Sequence, residues 1–450
     1  MSSIKLIISD LHLTGGQSIL QGFGDEQQAA LEGLTAAASS SGEPLGRADD
    51  VELIINGDAF DFLATSPYDT RGASDVPTAL EKLNKIIAAH GPFFETLRHF
   101  IATQGRHVTF ITGNHDIELC FEEVRARLRE TIGVAVNDNR IFFCPTRFYR
   151  PLPDVYIEHG NHYDFWNQCI SGLWDEQGQP LDRRPSKITL PFGSYYWQHA
   201  AHSISLEYAY FDHFEPSMNS LRQIALLCLL NPGIVMESAR LTMQMLSEPR
   251  PALTNLAPGE ERIPVKLFEQ ATIDFAAFQQ DMMARTKDRI EPGSQDKSQA
   301  QANTMTEYAM LQEAVTLPLI EAVAAICTPT TYQMGESVAR GMHAVLANDP
   351  NLRYAIAGHT HMVRIDSVSD GAQSYLNTAS WTRRLALPAP GEVNAALVEW
   401  LRQPDWKHIP LRDVTQLTFA LVSEHLPGEP SSASLCVWEG GLKGSYRVLA

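Results

Sequence analysis

Five short apolar runs in this chain each end in histidine, aspartate or both. Ile4 to Ser9 leads into Asp10 and His12. Val51 to Ile55 leads into Asn56-Gly57-Asp58, with Asp61 three residues on. His107 to Thr112 leads into Gly113-Asn114-His115-Asp116. Val155 to Glu158 leads into His159-Gly160-Asn161-His162, and Tyr354 to Ala357 leads into Gly358-His359-Thr360-His361. Runs this short and this apolar predict strands buried on both faces. Polar groups gathered at the carboxyl ends of such strands predict a site there, where wound α/β sheets bind ligands.

The intervening segments fit that architecture. Gln27 to Ala38, Thr78 to Gln104 (with a break at Gly91-Pro92) and Phe121 to Thr131 predict helices, and residues 39–50 predict a loop. Strand alternating with helix means an α/β fold. From about Tyr163 to Asn351 the alternation stops and the sequence becomes mainly helical. This stretch holds an aromatic segment, the run IALLCLL, which reads as helix core, and the polar segment RIEPGSQDKSQAQANT. Strands are expected again at Ser374 to Leu376, Leu417 to Ser423, Ser434 to Trp438 and Ser445 to Val448. The expected domains are a core of residues 1–162 and 352–450, interrupted by a mainly helical insertion or cap, 163–351. The insertion leaves just after one polar strand end and returns just before another. Both its ends should therefore lie near the site, which suits it to substrate selection.

Imidazole and carboxylate are the donors that hold Mn, Fe or Zn. A carboxylate can bridge two ions, whereas an imidazole normally cannot. In a D-x-H or H-x-H spacing along extended chain, both side chains point to one side. Gly57, Gly113, Gly160 and Gly358 each adjoin a candidate ligand and allow the backbone to turn sharply. Each fragment alone is common. Five in this order, all at strand ends, are not.

The set D-x-H, G-D, G-N-H-[DE], H and G-H-x-H resembles the calcineurin-like metallophosphoesterase superfamily. The match covers roughly Ile4 to Tyr163 and Tyr354 to Arg383. The resemblance implies a four-layer α/β/β/α sandwich of two mixed sheets, with a dinuclear metal centre at the strand ends. By motif, Asp10, His12 and His361 would hold one ion, Asn114, His159 and His359 the other, and Asp58 would bridge them. His115 matches the non-ligand catalytic histidine, with Asp116 as its expected support and Asp61 as an acceptor that braces a ligand without touching the ions. The implied reaction is metal-dependent hydrolysis of a phosphomonoester or phosphodiester. A metal-bridging hydroxide attacks phosphorus in line, and His115 assists the leaving oxygen. The cofactors are two ions of Mn, Fe or Zn, with Mn favoured.

Other residues are secondary candidates. His162 and Arg383 could contact substrate or brace ligands. Asp164, Trp166 and Asn167 could line the cleft, and Asn377, Ser380 and Arg384 follow the last motif closely. His199 and His202 form an H-x-x-H that is expected to be structural.

Bulk properties narrow the partner. A formal charge of −18 argues against a broad basic face for nucleic acid. The expected substrate is a small-molecule or lipid-linked phosphoester, with a nuclease or a nucleotide-linked lipid pyrophosphatase as alternatives. Hydrolases of UDP-diacylglucosamine share the fold but typically have Arg where this chain has His115. A catalytically silent scaffold on the same fold is a further alternative, although such proteins tend to lose ligands that are all present here. The six cysteines are dispersed, with no CxxC pair, and the start lacks a signal-peptide pattern. No run reaches the ~18 apolar residues of a membrane span. A cytoplasmic protein without a transmembrane segment is expected.

Overall fold

The computed structural model describes residues 2–16, 22–68, 73–164, 167–169, 173–175, 177–181, 186–198, 202–215, 220–231, 233–235, 237–238, 319–327, 335–424, 426 and 428–449. The polar segment of residues 289–304, Trp166 and His199 lie outside these. The chain divides into two compact units. The first comprises Met1–Asn219, Gln333–Leu387 and Gln403–Ala450, and the second Ser220–Tyr332 and Pro388–Arg402.

In chain order the first unit begins with β1 (Ser3–Ile8), α1 (Asp25–Ser39), β2 (Asp50–Asn56), β3 (Ala73–Asp75), α2 (Val76–Ala89), α3 (Gly91–Ala102), β4 (Arg106–Ile111), α4 (Glu122–Ile132), β5 (Ile141–Phe143), β6 (Phe148–Leu152) and β7 (Val155–Glu158). It continues with β8 (Lys187–Thr189), α5 (Phe192–Tyr196), α6 (His202–Glu207), α7 (Tyr210–His213) and β9 (Phe214–Glu215). The second unit holds α8 (Ser220–Leu230) and α9 (Leu319–Cys327). Back in the first unit come α10 (Glu336–Asn348), β10 (Tyr354–Ala357), β11 (Val363–Val368), β12 (Gln373–Thr378) and β13 (Leu385–Ala386). After α11 (Ala395–Arg402) of the second unit, β14 (Leu417–Glu424), β15 (Ser432–Glu439) and β16 (Ser445–Val448) complete the first.

Two mixed sheets dominate. One runs β16-β15-β14-β1-β2-β4-β5 and the other β11-β12-β10-β7-β6. In the first, β1 pairs parallel with β2 and antiparallel with β14. Strand β1 carries no polar alternation; Leu6, Ile7 and Ile8 are all fully buried. One apolar cluster draws Ile7, Ile54 and Ile111 from the first sheet together with Val155, Ile157, Ile356 and Leu376 from the second. A larger cluster joins Leu6, Ile8, Leu53 and Phe110 to helix residues such as Leu31, Leu83, Leu97 and Leu128. A third joins Ala355, Ala357 and Tyr375 to Val338, Met342 and Leu346 of α10.

Local chemistry sets the helix ends. The Asp75 carboxylate accepts from Thr78 N at 3.0 Å and caps α2. Pro92 restarts α3 after the expected break. Helix α4 ends at Gly133, whose φ of 85° suits a residue without Cβ. Helix α8 contains the IALLCLL run, with Leu226, Leu227 and Leu230 buried and Cys228 exposed.

The unit boundaries differ from those expected at 162 and 351. Helix α10 belongs to the first unit because its apolar face packs on β10, and Tyr163 OH donates to Glu158 Oε2 at 3.2 Å. Among the described residues no helix is long and apolar enough to cross a membrane. All six cysteines are free thiols.

Candidate metal centre

The carboxyl ends of the two sheets are fastened to each other. Ser9 Oγ lies 2.8 Å from Thr378 Oγ1, Asn56 Nδ2 donates to Glu158 O at 3.1 Å, and Trp381 N donates to Asp10 O at 3.1 Å. The five expected strand ends meet at this seam. Three groups of side chains there bring donor atoms within 4.8 Å of one another: Asp10–His12–His361, His12–Asp61–His115 and Asp58–His159–His359.

The backbone reaches these positions by left-handed turns. Asp10, His12, Asp58, His359 and His361 all have positive φ, between 49° and 67°. Non-glycine residues adopt this region rarely, and strain of this kind concentrates at functional sites. This corrects the expected extended D-x-H and H-x-H. Strand β1 stops at Ile8 and β10 at Ala357, so turning, not strand alternation, aims these side chains. Space is equally tight: a Cβ on Gly113 would stand 2.1 Å from Asp58 Oδ1.

Asp58 lies at the centre. Its Oδ2 is 3.1 Å from His159 Nε2 and 3.9 Å from His12 Nε2, and its Oδ1 accepts from His115 N at 2.8 Å. His159 Nδ1 donates to Asn56 O at 2.8 Å, which leaves Nε2 as the nitrogen facing Asp58. His12 is placed in the same way: Nδ1 lies 3.2 Å from Asp61 Oδ2, and Nε2 is 3.1 Å from His361 Nε2. Asp10 Oδ1 is 3.2 Å from His361 Nε2 and 3.9 Å from His12 Nε2.

Burial raises the cost of charge here, and the mixed charges offset it. Desolvation opposes ionisation of Asp58, but the His159, His115 and His12 rings hold it well below the usual carboxylate range. Burial disfavours the charged form of His159, yet Asp58 and Asp10 push it up to about 10. His115 is likewise raised to about 10 by Asp61 and Asp58 against its burial. His361 goes the other way: desolvation outweighs Asp10 and takes it down to about 4.

These residues fit metal ions. Asp10 Oδ1, Asn114 Oδ1 and His159 Nε2 are buried with no aligned hydrogen-bond partner, although Asp10 and His159 have close neighbours at 3.2 and 3.1 Å. Buried polar atoms without partners are costly unless a ligand satisfies them. Imidazole, carboxylate and amide oxygen together form a donor set for Mn, Fe or Zn.

Asp116 adds its charge to those that raise His115, but its hydrogen bonds go to backbone. Its oxygens accept from Gly113 N at 2.7 Å and Ala59 N at 2.8 Å, tying two strand-end loops together. Asp61 takes the place beside His115, with Oδ1 3.1 Å from Nδ1, close but out of hydrogen-bond alignment. Arg383 donates to Asp413 Oδ2 at 3.0 Å, and its side chain is about half exposed. Arg384 is buried against Asp212 O, Phe214 O and Glu215. His162 lies edge-on to Trp174, and burial takes it down to about 3. His202 packs on Tyr68 and Trp197. Asn377 and Ser380 brace the site through backbone, donating to Gly358 O at 2.8 Å and Asp10 O at 3.0 Å.

Two further residues belong to the surroundings. Asp164 Oδ2 lies 3.1 Å from His359 Nε2. Asp212, on α7, has His115, Asp61 and His12 as its electrostatic neighbours, and its side chain is exposed. No local sequence pattern marks Asp212; it stands 50 residues beyond His162, the nearest motif residue.

No family model matches this chain, and no curated protein matches it in sequence. Among solved structures, it is similar to a dimetal phosphatase from Danio rerio at 10% identity and a TM-score of 0.32, covering 99% of this chain and 98% of that one. It is also similar to a phosphopantetheinyl hydrolase from Mycobacterium tuberculosis at 13% identity and a TM-score of 0.23, covering 92% and 96%. Likenesses this loose assign neither fold nor function.

Proposed function

We propose that this protein is a dinuclear metal-dependent phosphoesterase. The observation that carries the reading is the placement of Asp58 Oδ2 between His159 Nε2 and His12 Nε2, with orphaned donors on either side. Asp10, His12 and His361 would hold one ion, Asn114, His159 and His359 the other, with Asp58 shared. When bound, the ions would offset phosphate charge and supply a water acidified enough to react near neutral pH.

The chain's own part is proton handling. The charges of Asp61 and Asp58 favour the imidazolium of His115, and Asp61 faces its Nδ1. Nε2 is then the nitrogen that holds a proton for the departing oxygen, a contribution of ~10²–10⁴-fold. Bound cations would pull the pKa of His115 back toward neutrality, the range in which a general acid works best.

The three apolar clusters support a four-layer α/β/β/α sandwich. The substrate is a small-molecule or lipid-linked phosphoester, selected by the mainly helical insertion, in a cytoplasmic setting. The test is direct. The purified protein is stripped with chelator, given Mn²⁺, and assayed on p-nitrophenyl phosphate and bis-p-nitrophenyl phosphate. Metal-restored turnover of either is expected. Two bound ions with no turnover of either would instead favour a silent scaffold.

A further inference from the structure

Neutral imidazole offers one nitrogen lone pair, and the group facing its other nitrogen decides which. For His159 that group is Asn56 O and for His12 it is Asp61. For His359 it is Asp164, whose Oδ2 stands 3.1 Å from Nε2 in hydrogen-bonding alignment. A carboxylate only accepts, so Nε2 carries the proton and Nδ1 the lone pair.

Asp164 is itself held. Its Oδ2 also accepts from Asn167 Nδ2 at 2.7 Å, and its backbone N donates to Asn161 O at 3.1 Å. Asn161 Nδ2 in turn donates to Asn167 O at 2.9 Å. This closed turn directly follows His159. Asp164 is not part of the Asp58–His159–His359 group. Among the other candidate ligands for the same ion, His159 Nε2 and Asn114 Oδ1 are buried without aligned partners.

We propose that Asp164 is the positioning residue for the ion held by His359. It fixes the tautomer and orientation of His359, and it joins the turn that follows β7 to that one metal position. Carboxylates placed behind metal-binding imidazoles typically change metal affinity ~10–100-fold when removed. This inference rests on the dinuclear reading above.

The test uses the full-length protein, stripped of metal and titrated with Mn²⁺, with bound metal counted by atomic emission. Wild type is expected to bind two ions. Asp164→Ala should weaken one of them ~10–100-fold and leave the other unchanged, while Asp164→Asn, which keeps an acceptor oxygen, should recover most of the loss. Long-range ¹H–¹⁵N spectra of the metal-free protein supply a readout that packing alone would not move. His359 should be the Nε2–H tautomer in wild type and a mixture in Asp164→Ala. Two ions of unchanged affinity and an unchanged tautomer in Asp164→Ala would overturn the inference. Failure of wild type itself to bind two ions would overturn the dinuclear reading, and is distinguishable because it appears without any substitution.

Discussion

The Nε2 atoms of His12 and His361 face each other at 3.1 Å, with Asp10 Oδ1 beside both. Two imidazole lone pairs in that relation repel unless a proton or a cation lies between them. His361 is pushed down to about 4, so its ring is neutral at pH 7 and offers a lone pair. Replacing His361 with Ala should therefore cost one Mn²⁺ position ~10-fold or more in affinity and spare the other. Metal counts on the variant check this.

Metal binding should release protons. His159 is raised to about 10 in the metal-free protein, yet it must be neutral to bind an ion. At pH 8 the binding of Mn²⁺ should expel about one to two protons per chain, one from His159 and up to one from His115 as its pKa falls toward neutrality. Calorimetric heats measured in buffers of different ionisation enthalpy give that number, and heats independent of buffer would contradict it.

Asp61 serves two rings at once, His12 through Oδ2 and His115 through Oδ1. His115→Ala and Asp61→Ala should each lower kcat ~10²-fold or more, and the double variant should be little worse than His115→Ala alone. Additive losses would mean that Asp61 acts independently of His115.

Gly113 leaves no room for a methyl group beside Asp58, whose backbone N would be 2.6 Å from the added Cβ. Gly113→Ala should lower the stability of the metal-free protein by ~1–3 kcal/mol and weaken Mn²⁺ binding through Asp58. Chemical denaturation and metal titration measure the two effects separately.

Acid should destabilise the fold through His213. Burial, aided by the charges of Arg384 and Arg383, takes this ring down to about 4, and its Nδ1 donates to Arg383 O at 2.9 Å. Because the folded pKa is lowered, the unfolded chain binds the extra proton between pH 6.5 and 4 and stability falls as pH falls. The contribution amounts to about 3 kcal/mol. His213→Gln should flatten the decline in denaturation midpoint between pH 7 and pH 5.

The sequence revealed the strands that carry the site better than it revealed the site's geometry. Strands β7 and β10 run from Val155 to Glu158 and from Tyr354 to Ala357 as expected, because short fully buried runs bounded by polar turns leave little choice. Strand β11 was not anticipated: its alternating half-exposed pattern is weak, and pairing with β12 decides it. Local spacing gave no sign that the hydrogen bonds of Asp116, the neighbour of His115 in sequence, go to backbone. Positive φ at Asp10, His12, Asp58, His359 and His361 is imposed by tertiary packing. So is the approach of Asp61 to His115 from a different strand end.

The antiparallel pairing of β1 with β14 bears on the order of synthesis. The strand that leads to Asp10 is made some four hundred residues before Leu417–Glu424, and until that strand exists one of its two edges stays unpaired. His359 and His361 likewise follow Asp10 by about 350 residues. A nascent chain can build the helix-covered face of β1, β2 and β4 early, yet it cannot present both halves of the ligand set until His361 has been made. Capture of both ions is thereby deferred until His361 has been made, and during that interval the open side of β1 is a pairing surface that a chaperone or a neighbouring nascent chain could reach.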